Sequence, residues 1–312
     1  MFLAFIFLIL KNVIYGTSVF FTSSLSSSVD VLDILALRFL MSFLTLFLLK
    51  QAKIIKINVG LKDVFKPTEH HTYIKNLLAA AMFEPVLYML FETLGITMTT
   101  GITAAILLSL NPISHCICEE ILLKEKSTPM QKILLGLGVV GVAYIALNTT
   151  SSSGKDTPIG ILFMILAVVC GSLFVTFSRK SSSHFSAFEI TYFSSMLGTI
   201  AFNLINIVRH TISGDIAHYF SPYLNLENLI GFTFLSIVST IVATSMNNYA
   251  ASKVQLSTVS AFGGISTLVT VIIGVISGEK LYTFHLIGFS LILIRMVGVS
   301  YIAIQKNNPK KI

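Results

Sequence analysis

The sequence predicts an all-α polytopic membrane protein of ten transmembrane helices, arranged as two inverted five-helix repeats. Three observations predict it. The chain is too apolar to coat a soluble fold, its apolar runs match the thickness of a bilayer, and its lysines and arginines gather on one side of those runs.

Of the 312 residues, 54% are hydrophobic and 11% charged, with a mean hydropathy of +0.85. A soluble domain carries about a quarter charged residues, so most of this surface must face lipid. The net charge of +7 reads as basic loops on one face of a membrane, not as a nucleic-acid surface. The N-terminal segment MFLAFIFLILKNVIYG has no basic leader and no small-x-small cleavage site. Its apolar pattern resumes after Lys11, so it is read as the first span and not as a signal peptide. Cys116, Cys118 and Cys170 lie inside apolar runs. A C-x-C pair on a helix points its thiols about 200° apart, which suits neither a disulfide nor a chelate.

A span needs about 20 mostly apolar residues. Ten runs satisfy this: Phe2–Phe21, Leu32–Leu49, Ile74–Leu94, Thr99–Leu122, Gln131–Leu147, Pro158–Phe177, Ala187–Val208, Leu229–Ala250, Leu256–Ile276 and Phe284–Ile304. Most joints are short and rich in turn formers, such as Ser26–Ser28, Ser151–Gly154 and Ser181–Ser183. The longer joints, Lys50–Tyr73 and His210–Asn228, are too short for a soluble domain. With the N-terminus inside, fifteen of the 21 lysines and arginines fall in inner joints and the tail. Only Lys155, Arg209 and Lys280 lie outside, and Lys11, Arg38 and Arg295 lie within spans. The positive-inside rule then puts both termini in the cytoplasm.

The chain also repeats itself. YGTSVFFTSSLSSS from Tyr15 aligns with CGSLFVTFSRKSSS from Cys170, pairing Gly16 with Gly171. A second landmark pairs Glu125 with Glu279 at nearly the same offset. The halves, 1–150 and 157–305 with a tail at 306–312, therefore correspond end to end. Five helices per half means that the second copy enters from the opposite side.

Tyr15–Gly16, Arg38–Phe39, the run Leu107–Pro112 (LLSLNP), Glu125–Lys126 and Ser178–Arg179–Lys180 resemble, in order and spacing, the ten-helix EamA-type transporters of the drug/metabolite transporter superfamily. The resemblance spans nearly the whole chain. It implies a five-plus-five fold with a central cavity lined mainly by the first, third, fourth, sixth, eighth and ninth helices, and ATP-independent movement of a small metabolite. The chain departs from the family pattern in carrying Tyr15 where tryptophan is common, and Ser266 where the ninth helix usually has proline.

Within the spans, charged residues mark the candidate site, because a charge at mid-membrane costs several kcal/mol unless paired or hydrated. Glu84 and Lys11 fall at similar depths, about 15 Å from their inner helix ends at 1.5 Å per residue, and an ion pair between them is expected. Arg38 and Glu92 form a second expected pair, with a structural lock or a coupling role as its alternatives. Tyr15 and Tyr88 each lie four residues after a charged residue, on the same helical face. A carboxylate flanked by aromatic rings suits an ammonium group. Asn111 precedes Pro112, which removes a backbone hydrogen bond from the fourth helix. The candidate substrate-binding residues are thus Tyr15, Glu84, Tyr88 and Asn111, and the candidate coupling residues Lys11, Glu84, Arg38 and Glu92. Gly136, Gly138 and Gly141, and Gly274 with Gly278, offer close helix approach.

His70–His71 lacks chelate spacing, and no phosphate-cradling Gly-rich loop, H-E-x-x-H or Asp-rich motif occurs, so no cofactor, metal or catalytic residue is expected. The expected function is a secondary transporter of an amino acid, amine or similar metabolite by alternating access. A nucleotide-sugar or other anionic-metabolite exchanger is the alternative, and an integral-membrane enzyme ranks below both. The expected partners are a small-molecule substrate, the lipid bilayer and a coupling proton or ion, with no nucleic acid, in a monomer or homodimer. A bacterial cytoplasmic membrane is the expected location.

Overall fold

The structure, a computed structural model, describes residues 2–57, 71–108, 110–122, 156–254 and 262–279, with scattered positions between 124 and 144, at 259, and between 282 and 298. Seven described helices are long and apolar enough to span a bilayer: α1 (Leu3–Leu25), α2 (Val31–Gln51), α3 (Ile74–Thr97), α4 (Gly101–Leu122), α5 (Pro158–Ser181), α6 (Ala187–Ile212) and α7 (Leu226–Lys253). A shorter apolar helix, α8 (Gly264–Ile276), follows. These are the first four and the sixth to ninth runs of the sequence. The fifth and tenth runs, Glu125, Arg295 and the tail lie wholly or largely outside the described residues.

The polarity is that of a membrane protein. Leu48, Ile121 and Leu204 are more than 60% exposed, whereas Lys11 and Arg38 are 7% and 3% exposed. Many buried hydroxyls satisfy themselves on the helix behind them, as Ser172 does on Val168 O and Thr176 on Ser172 O, since no lipid group can serve. Several helices extend beyond the apolar runs because polar caps add turns that hydropathy does not count. Asp30 accepts from Leu32 N at the start of α2, and Thr157 accepts from Gly160 N at the start of α5. Ser186 and Glu189 form a reciprocal capping box on α6.

Three helices are broken where the sequence places the means to break them. In α3 the segment Met82–Leu87 is a π-helical turn, and Glu84 leaves helical geometry at φ −138°, ψ 118°. Proline disfavours the α conformation in the residue before it, and Pro85 follows Glu84. In α4 the helix is interrupted at Leu110, two residues before Pro112. In α7 a π-helical stretch runs from Phe234 to Ala243, and the Thr240 hydroxyl donates to the carbonyl five residues back, Leu235 O, at 2.8 Å. Such π turns concentrate at functional sites.

Packing closes α1 onto α8, α2 onto α6 and α3 onto α5. Gly16 makes the first contact possible: a Cβ there would lie 2.5 Å from Ser266 O and 2.8 Å from Val269 Cβ. Gly171, its partner in the repeat, lies against Tyr88 and within 4.0 Å of Asn111 Oδ1 by the same measure. Asn111 and Ser266 are themselves separated by the offset that relates the two glycines. Gly274 faces Ile102 and Glu279, whereas Gly136 has open space before it and does not serve packing within the described part of the chain.

Two polar clusters tie elements together at the ends of α2, α4 and α6. Asp33 accepts from Asn206 Nδ2 (2.7 Å), pairs with Arg209 (2.9 Å) and lies 2.8 Å from His210 Nε2. The Glu279 carboxylate receives Gly101 N and Ile102 N, both at 3.0 Å, and Asp156 receives Thr100 N. Two carboxylates, Asp156 just before α5 and Glu279 just after α8, thereby hold the N-terminus of α4, where the helix dipole favours negative charge.

Candidate functional site

The three breaks meet at a central cavity walled by α1, α2, α3, α4, α5, α7 and α8. Its volume is about 120 Å³; a water needs about 10–15 Å³ of such space, so about ten waters or a solute of comparable size would fit. Apolar wall comes from residues such as Val19, Leu108 and Val175, and charge comes from Lys11, Arg38, Glu84 and Glu92. Tyr15, Tyr88, Asn111 and His115 complete the polar lining. All seven candidate residues named from sequence therefore face one space, on the helices that the family resemblance implies, with α2 added through Arg38.

The expected ion pairs do not form. Lys11 Nζ donates to Asn247 Oδ1 at 2.8 Å and lies 5.4 Å from the Tyr15 ring centroid. Arg38 donates through Nε to Thr240 Oγ1 (2.9 Å) and through a terminal nitrogen to Ser239 Oγ (3.3 Å). Glu92 accepts from the Tyr88 hydroxyl at 2.6 Å. Glu84 makes no hydrogen bond or salt bridge to any described residue; the salt bridges among them cluster instead around Asp30, Asp33, Asp215 and their Arg and His partners. The physical reason is local. Glu84 sits at the break, where its side chain no longer follows helical periodicity, and the polar face of α7 reaches both cations first. For the same reason Tyr88 bonds to Glu92, four residues on, and not to Glu84.

Cations and carboxylates thus line one cavity; Lys11, Arg38 and Glu92 are held by neutral dipoles, and none of the four is neutralised by a direct partner. Buried charges are costly in a membrane, and a solute carrying both signs would offset that cost. The Tyr15 hydroxyl, 3.2 Å from Thr244 Oγ1, and Tyr88 add aromatic faces beside the charges.

Asn247, Ser239 and Thr240 were not identified from sequence. The signal was present: Ser239–Ser252 reads STIVATSMNNYAAS, an unusual density of hydroxyls and amides for a spanning helix. Nothing in the sequence reading identified the Asp33–Arg209–His210 cluster either, although opposite charges at the facing ends of the second and seventh runs point to it. Among the described residues no group of three or more His, Cys, Asp or Glu could hold a metal; His70 lies outside them.

The sequence profile of the EamA-like transporter family matches residues 2–147 and again 158–301. The chain is 30% identical over 312 residues to the uncharacterized transporter YcxC of Bacillus subtilis, covering 98% of this chain and 95% of that one. It is 24% identical to an uncharacterized transporter of Archaeoglobus fulgidus over 74% of this chain and 77% of that one. A solved crystal structure matches with a TM-score of 0.63 at 14% identity, covering 96% of this chain and 97% of that one, which speaks to the fold alone.

Proposed function

The chain belongs to the EamA-like transporter family and is an integral membrane transporter, and from that premise we propose that it carries an amino acid or a related amine by alternating access. The observation that carries this reading is the cavity in which Lys11, Arg38, Glu84 and Glu92 are directly unpaired with one another. An amino acid presents its ammonium to Glu84 and Glu92, with the ring of Tyr15 or Tyr88 alongside. Its carboxylate meets Lys11 and Arg38. The volume fits a solute of about ten non-hydrogen atoms. A nucleotide sugar is several times larger and would meet as many carboxylates as cations.

The breaks in α3, α4 and α7 supply the hinges. Alternating access then moves the two halves about the fixed site, opening and closing the end held by Glu279 and Asp156. The positive-inside rule supports a cytoplasmic placement of the face bearing Lys50, Arg179, Lys180 and Lys253.

A thermal-shift screen of the detergent-purified protein tests the reading. A ligand stabilises the folded state by RT ln(1 + [L]/Kd), so weak ligands register at millimolar concentration. Amino acids or amines are expected to raise the unfolding temperature of the wild type and not of Glu84→Gln. Equal shifts in both proteins would remove Glu84 from the site. A response to nucleotide sugars alone would replace the substrate class.

A further inference from the structure

Glu84 also lines a second, smaller pocket, separate from the central cavity. It lies between α2, α3, α5, α6 and α7, has a volume of about 10 Å³ and presents the hydroxyls of Thr191, Ser194, Ser195, Thr240 and Thr244. That volume is about one water molecule. Ser194 and Ser195 are 6% and 1% exposed, and their Oγ atoms have no hydrogen-bond partner among the described residues. Leaving a buried hydroxyl unpaired costs about 1–3 kcal/mol, so two side by side mark a place built for something polar.

The pocket continues as a polar track. Thr191, Ser194 and Ser195 stand at i, i+3 and i+4 on one face of α6. Thr191 Oγ1 accepts from Ser245 Oγ (3.1 Å) and Asn248 Nδ2 (3.2 Å), and Asn248 Oδ1 accepts from Ser178 Oγ at 2.9 Å. Ser178 lies within a turn of the end of α5, beside Arg179 and Lys180, and Asn248 within two turns of Lys253 at the end of α7. Of these track residues none lines the central cavity.

We propose that this pocket is a proton site, in which a water relays a proton from the basic face to Glu84 by a route separate from the substrate cavity. In the step, a proton arriving through the track forms an O–H bond on the pocket water. Another O–H bond of that water breaks, and its proton bonds to a Glu84 carboxylate oxygen, which passes from negative to neutral. The groups sharing Glu84's surroundings are Lys11 and Tyr15 from α1, Arg38 from α2, Tyr88 and Glu92 from α3 and His115 from α4. On the sides of α5, α6 and α7 the two pockets present only apolar and neutral polar side chains. A proton suits the pocket better than a metal cation, because Arg38 already donates to its wall at Thr240 and a fixed second charge would oppose it. Where the substrate is an amine or amino acid, a point that rests on the function proposed above, its ammonium and the proton compete for Glu84, and the exchange of one for the other couples them.

Infrared spectroscopy of the full-length purified protein tests the site without a substrate. The protonated-carboxyl stretch of Glu84 is identified by its loss in Glu84→Gln, and its downshift on transfer to deuterium oxide is timed. The wild type is expected to show the band near neutral pH. Ser194→Ala/Ser195→Ala is expected to keep the band and exchange it several-fold more slowly. Those hydroxyls have no partner among the described residues to lose, and if the double variant does not purify folded, each single substitution carries the same comparison. Absence of the band at every pH where the protein is folded overturns the proposal. So does unchanged exchange in the serine variants, which would bring the proton through the central cavity. Loss of the band when sodium chloride replaces choline chloride at fixed pH would assign the pocket to sodium instead.

Discussion

Gly16→Ala tests the close approach of α1 to α8. The added Cβ would stand 2.5 Å from Ser266 O and 2.8 Å from Val269 Cβ. Neither atom can rotate aside, since one is backbone and the other is fixed to it. Ordinary contact begins at 3.4 Å, so α1 and α8 must separate by 3.4 − 2.5 = 0.9 Å. Overpacking of this kind costs about 1–3 kcal/mol. The same movement stretches the bond from Thr270 Oγ1 to Gly16 O, now 2.8 Å, worth about 1 kcal/mol. Together these make about 2–4 kcal/mol, and the thermal unfolding midpoint in detergent should fall on the order of 5 °C. Gly136→Ala, with open space at its Cβ, should leave the midpoint level or raise it, as alanine favours helix by up to about 1 kcal/mol. An unchanged midpoint for Gly16→Ala, or equal falls for both variants, would refute the α1–α8 contact.

Other predictions concern the charges. Lys11→Met should abolish binding of amino acids while sparing amines without a carboxylate, read by the same thermal shift; undiminished amino-acid binding would free Lys11 from the site. Asp33→Ala strips the acceptor from Asn206, Arg209 and His210. It should destabilise by about 2–3 kcal/mol, below the 3–5 of a fully buried pair because Arg209 is 32% exposed; a double-mutant cycle with Arg209→Gln should show coupling, and strict additivity would contradict the pairing. Glu279→Ala should cost about 1–3 kcal/mol through the freed amides of Gly101 and Ile102. Hydrogen exchange should quicken at those two amides, and unaltered protection there would contradict the cap.

Much of this architecture is legible in the residues, and for stated reasons. Apolar runs report the spans because lipid penalises every exposed polar group, and the Glu84–Pro85 step reports the break in α3 because proline constrains the residue before it. Depth counted along helices gave two separate ion pairs, Lys11 with Glu84 and Arg38 with Glu92, whereas the structure brings all four to one cavity without either pair. Their partners were not legible from the same count. Lys11 bonds to Asn247, 236 positions away, and Arg38 to Thr240, 202 positions away, so each depends on how α7 rotates over its π-helical stretch. A search for charges also overlooks neutral groups. Ser194 and Ser195 look like ordinary small residues in α6, and only the pocket and their missing partners single them out.

Counterflow of radiolabelled amino acids and amines into proteoliposomes preloaded with the same unlabelled compound tests the central claim most directly. The account predicts accumulation of at least one of them by the wild-type protein, with loss in Glu84→Gln. Accumulation of a nucleotide sugar and of no amino acid or amine would contradict it.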